Sequence, residues 1–497
     1  MKAAAVLSAV AAAAAAMSYD GHKVFRVPVL DDGTQANTVI NELGLEVWQP
    51  ASKEGAFADV EVPRDKLAAF AAAMKGQKLE TMHENLGASI AKEAAFQTYA
   101  EGSSNLSTWF ESYHPYQDHV QWMRDMAWRY PNRTRVVTSG KSHAGSPIYG
   151  LHMFGASGGG RRPAVVFHGT LHAREWIVSM TLEYMAHEFI TKYSTNKALK
   201  SFLNRHDLYL FPIVNVDGFR YSQTSARLWR KTRGPTVGSP CVGTDLNRNW
   251  PYKWRGVASS STNPCDETFR GTRPGDTTEI KALTAFLKDL KSKQGVKMYI
   301  DWHSYSQLFM LPASKCRKRK KAWTEKLEEK KSGLEAMHNE LQARYFSLLQ
   351  ESSQLKNHLI SHAGCHDPNI DVWINNEASK YVRRLSGEAP PPLPAYAYTC
   401  RERAENHDTL VSLARGASKA IRAINGTFFD VGTICEKLYR SSGTSADWAK
   451  DVLKADYVFS VELRDNGLYG FVLPPEEIIP SGNEAFAAAM YLFENAR

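Results

Sequence analysis

AVVFHGTLHAREW, residues 164–176, decides the fold. Ala164 to Phe167 is a short, uninterrupted apolar run with β-branched residues, the pattern of a strand buried on both faces. A polar turn follows, and then a helical stretch from Ile177 to Tyr193. Leu208–Phe211 and Met298–Ile300 are further buried-looking strands set among helical stretches. Short apolar strands between helices predict an α/β domain with a largely parallel or mixed sheet. In such sheets functional residues gather beyond the carboxyl ends of the strands. His172, Arg174 and Glu175 stand there, and so does the stretch Asp301-Trp302-His303-Ser304-Tyr305 after Ile300.

Moving outward, the chain has 497 residues, 43% of them hydrophobic and 23% charged, a globular mix that excludes a disordered or fibrous protein. A net charge of +9 is modest for this length and does not by itself imply nucleic acid. Met1-Lys2 precede an Ala/Val/Leu run to Ala16, with small residues at Ala14 and Ala16. The run is shorter than the about 20 apolar residues of a membrane span. It reads as a secretory signal peptide, residues 1–16, and predicts release into an oxidising compartment with no membrane partner. Sequons at Asn105, Asn132 and Asn425 fit a secreted glycoprotein. The six cysteines, Cys241, Cys265, Cys316, Cys365, Cys400 and Cys435, allow many pairings, and spacing alone selects none.

Upstream, residues 20 to about 83 predict a small α+β unit. Strands are expected over 22–29, 45–49, 57–62 and 77–82, with helices over 34–43, stopped by Gly44, and 64–74, behind Pro63. The order is β-α-β-β-α-β, a ferredoxin-like arrangement. A helical connector with an uncertain boundary, 83–105, leads to the larger unit.

His172, Glu175 and His303 supply two imidazoles and one carboxylate, the ligand set of an open zinc site with one position left for water. An H-x-x-E alone is weak evidence, and an isolated histidine is more often a satisfied core or surface residue. The surrounding words carry more: Asn215-Val-Asp217-Gly218-Phe219, Leu228-Trp-Arg230-Lys-Thr-Arg233, Asp245-Leu-Asn247-Arg248-Asn249-Trp250 and Ser460-Val-Glu462-Leu-Arg464-Asp465, in that order.

Together these motifs closely resemble the secreted A/B-type zinc metallocarboxypeptidases, which are made as zymogens. The resemblance covers about residues 20–312 and 396–497. It implies a carboxypeptidase-like mixed eight-stranded sheet flanked by helices, preceded by the small unit as an activation pro-domain. It implies one Zn2+ held by His172, Glu175 and His303, with Asp245 orienting a ligand imidazole. Glu462 would be the general base and Arg230 the oxyanion donor. Asn247 and Arg248 would anchor the substrate's terminal carboxylate, with Arg174, Ser304 and Tyr305 as further substrate contacts and Tyr439 as the tyrosine that closes over it. An arginine suits a free carboxylate because its fork binds two oxygens at once. Cys241–Cys265 and Cys400–Cys435 would be disulfides.

Where basic-specific relatives carry an acid in the pocket for the last side chain, this chain has Ala446, with Thr444 and Ser460 nearby. An uncharged pocket predicts removal of C-terminal aromatic or aliphatic residues. The partners implied are peptide or protein C-termini and an activating protease. Lys92 is the last basic residue before Arg124, so a trypsin-like activator is expected to cut after Lys92. The domains are then a pro-domain and connector, 17–92, and a catalytic domain, 106–312 with 396–497.

Residues 313–395 interrupt that pattern. Lys315, Arg317, Lys318, Arg319, Lys320 and Lys321 precede Leu327, Leu334, Leu341, Leu348 and Leu355, a heptad seam. The segment resembles a basic-leucine-zipper region of the fungal stress-factor kind, although Phe309 stands where its asparagine is expected. Three readings stand open: a gene-model or genomic chimera, a helical insertion that dimerises a secreted enzyme, or a DNA-binding regulator carrying an impaired peptidase. A signal peptide and disulfides argue against nucleic acid as the partner.

Overall fold

The computed structural model describes residues 16–29, 34–50, 55–99, 102, 107–254, 259–312, 404, 406–439 and 441–496. All but the last residue of the signal-like segment lies outside them, as do Asn105, the 313–395 insertion with its leucine seam, Cys316, Cys365 and Cys400. The chain divides into two compact units, Met1–Ser314 with Glu402–Arg497, and Lys315–Arg401; the described residues belong to the first.

The N-terminal sheet has strands β1 (Lys23–Pro28), β2 (Glu46–Gln49), β3 (Phe57–Val62) and β4 (Glu80–His83) in the order β2-β3-β1-β4, every pairing antiparallel. Helices Thr34–Leu43 and Leu67–Ala73 complete the expected β-α-β-β-α-β sequence. Val27, Ile40, Val60 and Phe70 centre its core. Gly44 ends the first helix at a φ of +56°, a conformation glycine adopts without the Cβ penalty. Two details differ from the sequence reading. The second helix opens with a 3₁₀ turn, Arg64–Lys66, behind Pro63. The last strand covers Glu80–His83 and not 77–82, because His83 still pairs with Val24 across the ladder; its imidazole is held by Ser89 Oγ at 2.9 Å and the Tyr469 carbonyl at 2.8 Å.

The larger sheet contains β5 (Thr134–Lys141), β6 (Pro147–Met153), β7 (Ala164–Gly169), β8 (Asp207–Phe211), β9 (Val296–His303), β10 (Leu308–Leu311), β11 (Asp430–Thr433) and β12 (Tyr457–Glu462). Their order is β11-β10-β12-β9-β7-β8-β6-β5. Strands β8, β7, β9 and β12 run parallel in the middle, and the β5–β6 hairpin is antiparallel at one side. Every residue of β7 and β8 is buried, as expected for strands covered on both faces. Helices Trp176–Thr191, Thr278–Gln294, His407–Asn425 and Ile478–Asn495 flank the sheet. Thr277 caps the second of these by accepting the Ile280 N–H, and Gly295 ends it at a φ of +73°.

Phe309, the position a zipper's base-reading helix would need as asparagine, lies on β10 with no solvent exposure, packed against Phe459. A third apolar cluster joins the two sheets: Tyr19, Val24, Trp48 and Leu86 pack against Tyr305, Phe471 and Val472. Gly470 admits Trp48 there; its φ is +61°, and a Cβ would meet the indole at 2.8 Å.

Candidate metal centre and active site

Three parallel strands, β7, β9 and β12, end at one edge of the sheet. The loop after β7 carries His172 and, three residues on, Glu175; β9 ends in His303. Their donor atoms lie within 4.8 Å of one another, and all three residues are buried. His172 Nδ1 is 2.7 Å from Glu175 Oε1, His303 Nδ1 is 3.2 Å from Glu175 Oε2, and the two Nδ1 atoms are 3.2 Å apart. Tetrahedral zinc with bonds of about 2.0–2.1 Å sets its ligand atoms about 3.3 Å apart, so this donor set fits zinc in spacing as well as in chemistry.

Behind His172 stands Asp245, whose Oδ1 is 3.2 Å from His172 Nε2 and whose Oδ2 accepts from Arg230 Nη2 at 2.9 Å. Burial alone would raise the Asp245 pKa; Arg230 and His172 reverse that and hold it well below the usual carboxylate range. Arg230 is buried too, and Asp245 keeps its guanidinium charged against that burial.

Glu462, at the end of β12, is in register with His303 on the adjoining parallel strand, so the two side chains share a face. Burial, opposed by the charge of His303 and reinforced by Glu175, pushes the Glu462 carboxyl up to about 8. A cation beside it would draw that value down towards neutrality, where a general base is most useful.

Asn247 and Arg248 sit in a 3₁₀ turn that Asp245 caps. Arg248 donates to the Tyr439 hydroxyl at 2.9 Å, so the residue expected to anchor the substrate's carboxylate and the tyrosine expected to close over it are in contact. Asn247 Oδ1 accepts the Ser445 N–H at 3.0 Å and ties the anchor to the loop of Thr444 and Ala446. In that loop Gly443 packs so closely that a Cβ would come within 2.2 Å of the Arg248 carbonyl oxygen. Thr444, Ala446 and Ser460 are all buried. Arg174 lies over the Phe471 ring at 4.1 Å, with Glu267 3.6 Å from its Nη1. The Ser304 N–H donates to Glu175 Oε2 at 3.3 Å. The Tyr305 hydroxyl donates at 2.6 Å to Asp59, a pro-domain carboxylate.

Cys241 and Cys265 form a disulfide. Cys435 is disulfide-bonded as well, and Cys400 lies outside the described residues. Asn132 and Asn425 are both exposed.

The sequence reading missed two residues. Asp301 lies 2.9 Å, through Oδ2, from His303 Nε2. A signal for it existed, since a carboxylate two residues before a strand histidine shares its face. Asp59 had none: its contact with Tyr305 spans 246 positions and depends on how the two sheets dock.

The zinc carboxypeptidase family model matches residues 119–488, and the carboxypeptidase activation peptide model matches residues 35–93. A metallocarboxypeptidase A-like protein of Trichophyton verrucosum is 38% identical, across 97% of this chain and 94% of that one. Metallocarboxypeptidase A of Trichophyton rubrum is 36% identical, across 97% and 95%. Carboxypeptidase A4 of Mus musculus is 30% identical, across 96% and 94%. The crystal structure of thrombin activatable fibrinolysis inhibitor superposes with a TM-score of 0.72 at 25% identity, covering 95% of this chain and 98% of its own. On the matched domain and the histidine–glutamate–histidine centre together, the chain belongs to the zinc carboxypeptidase family and carries that family's activation peptide.

Proposed function

We propose that this zinc carboxypeptidase is a secreted exopeptidase that removes C-terminal aromatic or aliphatic residues once its activation peptide is cut. One observation carries the reading: Glu462 stands in register with His303, while Arg248, already donating to Tyr439, lies in the turn capped by Asp245. Base, metal ligands and carboxylate anchor thus belong to one connected edge of the sheet.

His172, Glu175 and His303 would hold the zinc, which would polarise the scissile carbonyl and acidify the attacking water. Glu462 takes the proton from that water and passes it to the leaving amine. Arg230, locked by Asp245, supplies a preorganised positive charge for the oxyanion. Arg248 and Asn247 bind the terminal carboxylate, which restricts attack to the last peptide bond. Arg174 adds positive charge beside them, and Tyr439 closes over the bound residue.

The preference for apolar side chains is supported by Ala446, Thr444 and Ser460, and by the engagement of the nearby Asp301 carboxylate with His303 and the Ser445 hydroxyl. Peptides differing only in their last residue test it. Phe and Leu should be released faster than Lys and Arg, with activity lost to a chelator and restored by Zn2+. Preference for C-terminal Arg would overturn the specificity.

Latency is a matter of steric cover and of contacts with the substrate-binding residues. Trp48 packs on Phe471, the ring beneath Arg174, and Asp59 occupies the Tyr305 hydroxyl. Lys92 is exposed on the last turn of helix Leu86–Glu93, a position open to a trypsin-like activator. The next residue, Glu93, is buried and paired with Arg227 through bonds of 2.6 and 2.7 Å. Cleavage therefore needs that last turn to open, and N-terminal sequencing of the activated enzyme should read from Glu93. The apolar N-terminal run, the Cys400–Cys435 pairing and glycans on Asn105, Asn132 and Asn425 belong to the same secreted reading. Mass spectrometry of the secreted protein before and after deglycosylation tests them.

A further inference from the structure

We propose that Asp301 is the positioning residue for the metal ligand His303: it accepts the Nε2–H of that imidazole and thereby leaves Nδ1 unprotonated for zinc. The inference rests on the metal site described above and extends it to a residue whose part in the site no sequence motif announced.

Asp301 and His303 alternate on β9 and so present their side chains to the same face. Asp301 is completely buried, with Oδ2 2.9 Å from His303 Nε2. The same oxygen accepts the Ser445 hydroxyl, and Oδ1 faces His168 Nδ1 at 3.4 Å. A buried carboxylate is costly unless donors meet it, and here the Ser445 hydroxyl donates to the oxygen that faces His303.

A second group competes for Nε2. Asn247 Nδ2 lies 3.1 Å from it, but the Asn247 Oδ1 atom is committed to the Ser445 N–H. That bond turns the amide nitrogen, a donor, towards Nε2, which can accept it only with the imidazole proton on Nδ1; Asp301 is the carboxylate within reach that draws the proton to Nε2 and opposes that tautomer. At the other ring nitrogen Glu175 Oε2 lies 3.2 Å away and would accept an Nδ1–H equally well. Placing the proton at Nδ1 would remove the lone pair that binds metal. Asp301 decides this choice of tautomer for His303 as Asp245, 3.2 Å from His172 Nε2, decides it for His172.

The test is zinc affinity of the full chain, measured by competition with a chelating dye, for the parent, Asp301→Asn and Asp301→Ala. Loss of a hydrogen-bond partner behind a zinc-bound histidine weakens binding by about 10–100-fold. Asp301→Asn, which keeps an acceptor oxygen but not the charge, should fall at the lower end and Asp301→Ala at the upper. Thermal unfolding of the zinc-free proteins identifies folded variants, and the isosteric Asn variant keeps the test available if Ala does not fold. In the cobalt-substituted protein, the visible d–d bands of a folded variant should shift, which a remote packing defect would not cause. A zinc dissociation constant within twofold of the parent in either folded variant overturns the proposal. A parent that binds no zinc while folded would overturn the metal site itself, and the proposal with it.

Discussion

The two sheets of this protein solve different problems with similar strands. In the pro-domain every neighbour is antiparallel, so successive strand ends alternate between the two edges and no edge collects the chain's polar groups. In the catalytic domain β7, β9 and β12 run parallel, and their carboxyl ends deliver His172, His303 and Glu462 to one place from positions up to 290 residues apart. The pro-domain's polar contribution lies mid-strand instead. Asp59 on β3 is directly opposite Arg26 on β1 and binds it through two bonds of 2.7 Å. Its remaining reach is across the interface, to Tyr305, while Arg26 donates to the Asn466 carbonyl. One sheet concentrates reactive groups, and the other presents a fixed carboxylate to the Tyr305 hydroxyl beside them in sequence.

Four outcomes would break or sharpen that contrast. Glu462→Gln should have the largest effect. It removes the proton acceptor and lowers kcat by about 10²–10⁴-fold while the zinc content stays at that of the parent. Retained activity would show that the parallel edge is not where chemistry occurs. Next comes Asp59→Ala, which leaves Arg26 beside the interface without its carboxylate. Breaking such a pair costs about 2–5 kcal/mol, so the uncleaved precursor should hydrolyse a small C-terminal substrate at least about tenfold faster than the parent precursor. Unchanged latency would assign the cover to Trp48 and its apolar neighbours alone.

A third outcome concerns the stability of the larger sheet alone. Asp207, at the start of β8, is buried; burial would raise its pKa, but His152 at 3.2 Å and the N–H groups of Arg162 and Gly160 hold it below its usual value. As pH falls the unfolded chain therefore takes up this proton first. The stabilisation is complete above the ordinary aspartate value of about 3.9 and is lost as pH drops through the lower folded value. Asp207→Asn should cost about 1–3 kcal/mol at neutral pH and flatten the acid limb of an unfolding curve. An unaltered acid limb would show that this carboxylate does not stabilise the turn. Smallest is Tyr305→Phe, which deletes only the hydroxyl bound to Asp59. It should loosen the pro-domain by about 1 kcal/mol, read as a severalfold rise in precursor activity. An effect as large as that of Asp59→Ala would mean that Asp59 acts mainly through Tyr305 and not through Arg26.

Much of this was legible beforehand. The alternating runs and the glycine and proline stops located the pro-domain elements to within a few residues, because local periodicity and backbone preference set them. His172, Glu175 and His303 stood in motifs long enough to outweigh chance. The hairpin β5–β6 gave no comparable signal, since its strands mix charged and apolar residues and are partly exposed along β5. Asp301 was in plain view beside His303, yet a carboxylate near a histidine becomes informative only once the strand's face and the Asn247 amide are placed.

The order of elements, the antiparallel and mixed sheet classes and the residue types able to bind zinc were determined by the sequence itself, because each depends on neighbours a few positions away. Tertiary structure alone decided which Nε2–H meets which carboxylate, and which pro-domain acid meets Tyr305. Those pairings join atoms from distant segments, and hydrogen bonds that lengthen by even 1 Å are lost, so no pattern along the chain can specify them.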